Sequence, residues 1–201
     1  GIEDFTELED LSIWYNDLAI FDISQNTNLK YLHCSNNPLT SLDVSQNTNL
    51  IELICAETPL TSIDVSQNIA LESLRCYDNQ LTSLDVSNNT ALNILNCASN
   101  PLLASLDLRN GNNLNYGSLY AFGSVILYCI DVDDPAWSTA NWDQDINAWT
   151  SFSSDCQSEI PGCTDSTNIN YDPLATLNNF SCYYAQTYVP DDNFEQALID
   201  L

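Results

Sequence analysis

Apolar residues recur along most of this chain in one fixed frame. Leu8, Leu29, Leu50, Leu71 and Leu92 stand 21 residues apart, and so do Leu11, Leu32, Leu53, Leu74 and Leu95. Ile13, Cys34, Cys55, Cys76 and Cys97 form a third column, and Leu18, Leu39, Leu60, Leu81 and Leu102 a fourth. Polar columns share the frame: Asn16, Asn37, Asn79 and Asn100, broken only by Thr58. The unit reads L-x-x-L-x-C-x-x-N-x-L-x-x-L-D-V-S-x-N-x-x. After Leu102 the frame gains one residue, then fades through "NGNNLNYGSLYAFGS". Both halves of the unit, "LxxLxC" and "LxxLDV", place apolar side chains two apart, which is the period of a short half-buried strand. A unit this short cannot hold a strand and a full helix comfortably. The pattern predicts a coil: a strand at "LxC", an Asn turn, an extended "LDV" segment and a second Asn turn. Stacked coils bury one continuous apolar column. Inward Asn side chains supply hydrogen bonds to turn backbone that burial would otherwise leave unpaired.

The wording "LTSLDVSQNT" with "LxxLxCxxN" resembles the leucine-rich repeats of about 21 residues found in surface and secreted proteins of Bacteroidetes-type bacteria. The resemblance covers roughly residues 1–156. It implies a mainly β fold, a leucine-rich-repeat solenoid of short parallel strands, and a role in binding or adhesion rather than catalysis.

Comparing repeats within the chain locates the variable positions. The "LDV" half hardly changes, whereas the positions flanking "LxC" differ from coil to coil. These are Asp10, Tyr31, Glu52, Ser73 and Ile94; then Ser12, His33, Ile54, Arg75 and Asn96; then Trp14, Ser35, Ala56, Tyr77 and Ala98. Alternation along a strand predicts that they point outward. Two readings follow: a recognition patch of Trp14, Tyr31, His33, Ile54, Arg75 and Tyr77, or surface positions that simply drift. Asp22, Asp43, Asp64, Asp85 and Asp107 form a column on the "LDV" half. Stacked carboxylates about 4.8 Å apart repel one another, so the column either attracts calcium weakly or is held by its own turn residues.

Charge narrows the partners. The chain has 28 acids against three bases, a net charge of −25. Such a surface repels nucleic acid and anionic membranes. The single histidine, His33, and the lack of any nucleophile or phosphate-loop motif argue against an enzyme.

Eight cysteines divide into two sets. Cys34, Cys55, Cys76 and Cys97 are expected as buried free thiols acting as small apolar residues; a linear stack lacks the paired spacing of a zinc site. Cys129 and Cys156 bracket a Trp-rich segment that would cap the exposed end of the solenoid, and a bridge would pin it. Repeat proteins of the resembled family commonly end in similar wording, "CIDVDDPAWSTANW…FSSDC". Asp131, Asp133 and Asp134 in this segment are weak candidates for a cation. Cys163 and Cys182 close "GCTDSTNINYDPLATLNNFSC", too small to bury a core and so expected to be disulfide-held. Its oxygens include Asp165, Asn170, Asp172 and Asn178. The segment resembles a short linker module of the same class of surface proteins.

The expected organisation is a solenoid (1–124), a disulfide-pinned C-terminal cap (125–160), a Cys-loop spacer (161–184) and the start of a following N-terminal cap helix (185–201). The last resembles the opening of another repeat domain, so the chain reads as an excerpt with neighbouring tandem domains. The function expected is a non-catalytic binding or adhesion module of a secreted or cell-surface protein, with a protein or polysaccharide ligand. A structural spacer, possibly stiffened by calcium, or an accessory domain of a secreted hydrolase are the alternatives.

Overall fold

The computed structural model describes residues 1–112, 117–142, 146–179 and 181–183. The expected cap helix at 185–201 lies outside the described residues. One compact unit spans Gly1–Ser158 and a second begins at Glu159.

In the first unit each "LxC" half opens on a three-residue strand: β1 (Asp10–Ser12), β2 (Tyr31–His33), β3 (Glu52–Ile54) and β4 (Ser73–Arg75). From the fourth coil on, "LDV" segments also become regular strands. Thus β5 (Ser83–Asp85), β6 (Ile94–Asn96), β7 (Ser105–Asp107), β8 (Ser118–Tyr120) and β9 (Cys129–Asp131) alternate between two sheets, and β10 (Ser151–Ser153) joins β9 in the second. The first sheet runs β1-β2-β3-β4-β6-β8 and the second β10-β9-β7-β5, all parallel. The register joins equivalent residues of successive coils, Leu11 to Leu32 to Leu53 to Leu74 to Leu95 to Leu119. A single slip would turn that buried column to solvent, so burial of one face sets the pairing.

Between the sheets lies a continuous core of Leu, Ile and Val, with Cys34, Cys55, Cys76 and Cys97 in it at 0–1% exposure. All four thiols are unbridged. Burial pushes Cys34 and Cys97 up to about 12 and raises Cys55 and Cys76 well above the ordinary thiol range, so they stay protonated and unreactive.

The Asn columns close the turns. Asn79 Nδ2 donates to the carbonyls of Cys55 (2.9 Å) and Cys76 (3.1 Å), while its Oδ1 accepts from the Leu60 amide (3.1 Å). Asn37 and Asn100 repeat the arrangement, and the single Thr58 hydroxyl proton stands within reach of both the Cys55 carbonyl and Asn79 Oδ1. A second buried column, Asn26, Asn47, Asn68 and Asn89, ties each coil to the one before. Asn16, in the first coil, is exposed and bonds only its own turn.

Two features of the frame differ from the sequence reading. Leu102 is 50% exposed, and Leu103 is the residue buried in the core at 1%. The extra residue therefore precedes the core leucine instead of following it, and the turn at Pro101–Leu102 absorbs it. Stacking also does not stop where the sequence frame fades. β9 and β10 extend the second sheet past residue 124, with Ile130 in register with Leu106. Asn147 continues the Asn column by accepting from Gly123 N and donating to the Ser124 carbonyl.

The end of the stack is sealed by α1 (Pro135–Asn141), capped by Asp134 through Trp137 N (3.0 Å) with Pro135 in its first turn. Trp142 is buried, edge-on to Trp137 and against Phe152. A Cys129–Cys156 disulfide closes the segment.

The second unit is held by a Cys163–Cys182 disulfide and by the pairing of β11 (Pro161–Gly162) with β12 (Leu177–Asn178).

Candidate binding face

The outward face of the first sheet carries two strand rows of side chains. One row reads Asp10, Tyr31, Glu52, Ser73, Ile94, Ser118; the next reads Ser12, His33, Ile54, Arg75, Asn96, Tyr120. Asp10, Ser12, Tyr31, His33, Glu52 and Ile54 line one shallow depression of about 260 Å³. Three of the six expected patch residues, Tyr31, His33 and Ile54, thus share a site. Trp14 joins them by stacking on His33, with ring centroids 5.7 Å apart and planes 7° from parallel. Arg75 reaches across to Glu52 in an ion pair, and Ser73 Oγ donates to the same carboxylate (3.2 Å). Tyr77 stands apart from the depression. Burial, together with the carboxylates of Glu57 and Asp78, raises its hydroxyl pKa.

Not every flanking position is exposed. Ser35, Ala56 and Ala98 are buried at 3%, 0% and 4%, and Ser73 at 7%. The chain turns just after the thiol column through left-handed residues, Asn36 (φ 55), Glu57 (φ 53) and Ser99 (φ 54) among them. The small side chain before each of these turns is packed beneath it, and Ser35 Oγ accepts the Ala56 amide (3.1 Å). At the same repeat position Trp14 of the first coil is 50% exposed and Tyr77 of the fourth is half-buried, with buried Ser35 and Ala56 in the two coils between.

Tyr120 and Phe122, 40% and 46% exposed, lie at the other end of the same face and were not anticipated. Their signal is in the sequence: "SLYAF" places Leu119 and Ala121 where other coils have Leu and Cys, but 24 residues on instead of 21.

The Asp column lies on the "LDV" side, where Asp85 and Asp107 end β5 and β7 of the second sheet and Asp22, Asp43 and Asp64 lie outside regular strands. Asp22, Asp43, Asp64, Asp85 and Asp107 each accept the amide two residues on, at 2.8–3.0 Å. Those amides and the side chains of the same serines, Ser66's side chain foremost at Asp64, lower the carboxyls of Asp22, Asp43 and Asp64 from their ordinary value. At Asp107 burial pushes the carboxyl up, and bonds from Arg109 more than offset it. Among the described residues no three His, Cys, Asp or Glu side chains group to hold a metal ion. The cap aspartates diverge as well. Asp131 accepts from Cys156 N, Asp133 from Gly111 N, and Asp134 caps α1. In the second unit Asp165, Asp172 and Asn170 bond their own loops, to Thr167, to Leu174, and to Ser181 and Tyr183.

Among solved structures, the chain resembles the functional domain of InlJ from Listeria monocytogenes, which includes a cysteine ladder: TM-score 0.51 and 24% identity over 67% of this chain. The fold is a leucine-rich-repeat solenoid. A leucine-rich-repeat protein of Leptospira interrogans is similar at TM-score 0.47 and 26% identity over 54% of this chain. The solenoid described here spans 38% and 33% of those two chains. No family model matches the chain, and no curated protein does. Among the described residues no helix is long and apolar enough to cross a membrane.

Proposed function

We propose that this solenoid is a non-catalytic binding module that recognises a protein through the outward face of its first sheet. The observation that carries the reading is the contrast between its two sides. The "LDV" side repeats nearly unchanged, each aspartate tied to its own turn. The other side keeps one backbone register while its side chains vary from coil to coil, with Trp14, Tyr31, Tyr120 and Phe122 exposed. Aromatic rings on a pre-organised sheet give contact area at little entropic cost. A polysaccharide is the second ligand class such rings suit. The two disulfides support a secreted or cell-surface setting, since such bonds persist in oxidising compartments. Adhesion on a bacterial surface fits that setting, and the "LxxLxCxxN…LDVS" wording supports a place among Bacteroidetes-type surface proteins.

This binding needs no cofactor. Calcium would have to compete with backbone amides for the Asp column, and calorimetry at millimolar calcium tests it: no heat is expected. The function itself is tested by probing an array of matrix proteins and glycans with the native protein and with a Trp14→Ala/Tyr31→Ala/Tyr77→Ala variant. Protein spots should capture the native form and lose at least tenfold with the variant. Equal capture by both forms would refute the assignment of the face.

A further inference from the structure

We infer, building on the protein-binding reading above, that the occupant of this face is a basic, extended segment of a partner protein, seated through two lysine or arginine side chains. Two rings on the face each have two carboxylate-bearing residues beside them. Tyr31, 43% exposed, is paired in register with Asp10 on one side and Glu52 on the other. Tyr77 is followed in the chain by Asp78 and lies beside Glu57 of the coil before, whose amide donates to the Tyr77 carbonyl (3.0 Å). An ammonium or guanidinium placed over such a ring meets its negative π face and a carboxylate at the edge, which is the geometry of a cation–π contact with a salt bridge. A neutral or anionic side chain gains neither.

The carboxylates have capacity to spare. Asp10 makes no hydrogen bond or ion pair among the described residues, and both bonds to Glu52 fall on one oxygen, Oε1. Of the chain's own side-chain cations only Arg75 reaches one of them, Glu52. Lys30 is engaged by Glu9, Arg75 by Glu52, and Arg109 by Asp107. With a net charge of −25, the surface attracts a basic partner from a distance and repels a second copy of itself. The two seats lie two coils apart along the stack, about 10 Å, and four residues apart along the strand direction, about 13 Å. Their separation of roughly 16 Å matches about five residues of extended chain.

The test uses a ten-residue capped peptide of Gly, Ser and Thr carrying two arginines five positions apart, titrated into the native protein by calorimetry. A peptide with citrulline at both positions has the same shape without the charge. The arginine peptide should bind at least tenfold more tightly than the citrulline peptide. An Asp10→Asn/Glu57→Gln variant should weaken it by about tenfold. Asp43→Asn/Asp64→Asn, which removes the same charge from the "LDV" side, should change it less than twofold. Equal binding of the two peptides, equal loss in the two variants, or no binding at millimolar arginine peptide would each overturn the inference. The broader reading fails separately, on the array, if captured proteins are indifferent to the face variant.

Discussion

At the scale of single residues, the fold rests on side chains that serve two coils at once. Asn79 bonds the backbone of its own coil and of the one before it. Replacing it with Ala takes a partner from the Cys76 carbonyl and the Leu60 amide and leaves the Cys55 carbonyl only the Thr58 hydroxyl, and should cost about 3 kcal/mol. Urea denaturation measures this; a loss below about 0.5 kcal/mol would mean the column is ornamental. The thiols make a pH-dependent contribution whose sign follows from burial. Unfolded, each loses its proton near the ordinary thiol value of 9.0, whereas native Cys34 and Cys97 hold theirs to about 12 and Cys55 and Cys76 also stay protonated well above 9.0. Above pH 9 the unfolded state therefore binds fewer protons, and stability falls by about 1.4 kcal/mol per pH unit for each thiol. Below pH 9 their contribution is fully present. Cys76→Ala should flatten the alkaline limb by one thiol's share, as read from denaturation at pH 9 and pH 10.5. An unchanged slope would place Cys76 in water.

At the scale of elements, the turn after each thiol sets which side chains reach the surface. Tyr15, Asn36, Glu57, Asp78 and Ser99 all take left-handed backbone, and Gly123 takes it in the sixth coil (φ 85). Such backbone costs a non-glycine residue about 1–2 kcal/mol. Ser99→Gly should therefore stabilise the protein by about 0.5 kcal/mol, after the entropy that glycine loses on folding. Gly123→Ala should destabilise it by more than about 1 kcal/mol, since the added carbon would sit 3.0 Å from Ser99 N. Thermal melts of the two variants shifting the same way would contradict this.

This turn is also where legibility in the sequence ended. Period and inward column were readable from Leu and Cys alone, because a strand period of two and a fixed repeat leave one way to bury them. The burial of Ser35, Ala56 and Ala98 was not, since it depends on a backbone reversal that no glycine announces. Likewise "SLYAF" hid a sixth coil behind three extra residues, and with it Tyr120 and Phe122. The pairing of Tyr31 with Asp10 and Glu52 followed from the repeat; the stacking of Trp14 on His33 needed side-chain geometry.

At the scale of the whole molecule, one side of the solenoid is built for repetition and the other for difference. The central claim is that the varied side binds. Hydroxyl-radical footprinting tests it most directly, on the native protein alone and with a partner captured on the array. The account predicts strong protection of Tyr31 and Tyr77 in the complex, with Ile20 and Ile69, which are 77% and 63% exposed, oxidised as before. Protection of Ile20 and Ile69, with Tyr31 and Tyr77 unchanged, would contradict it.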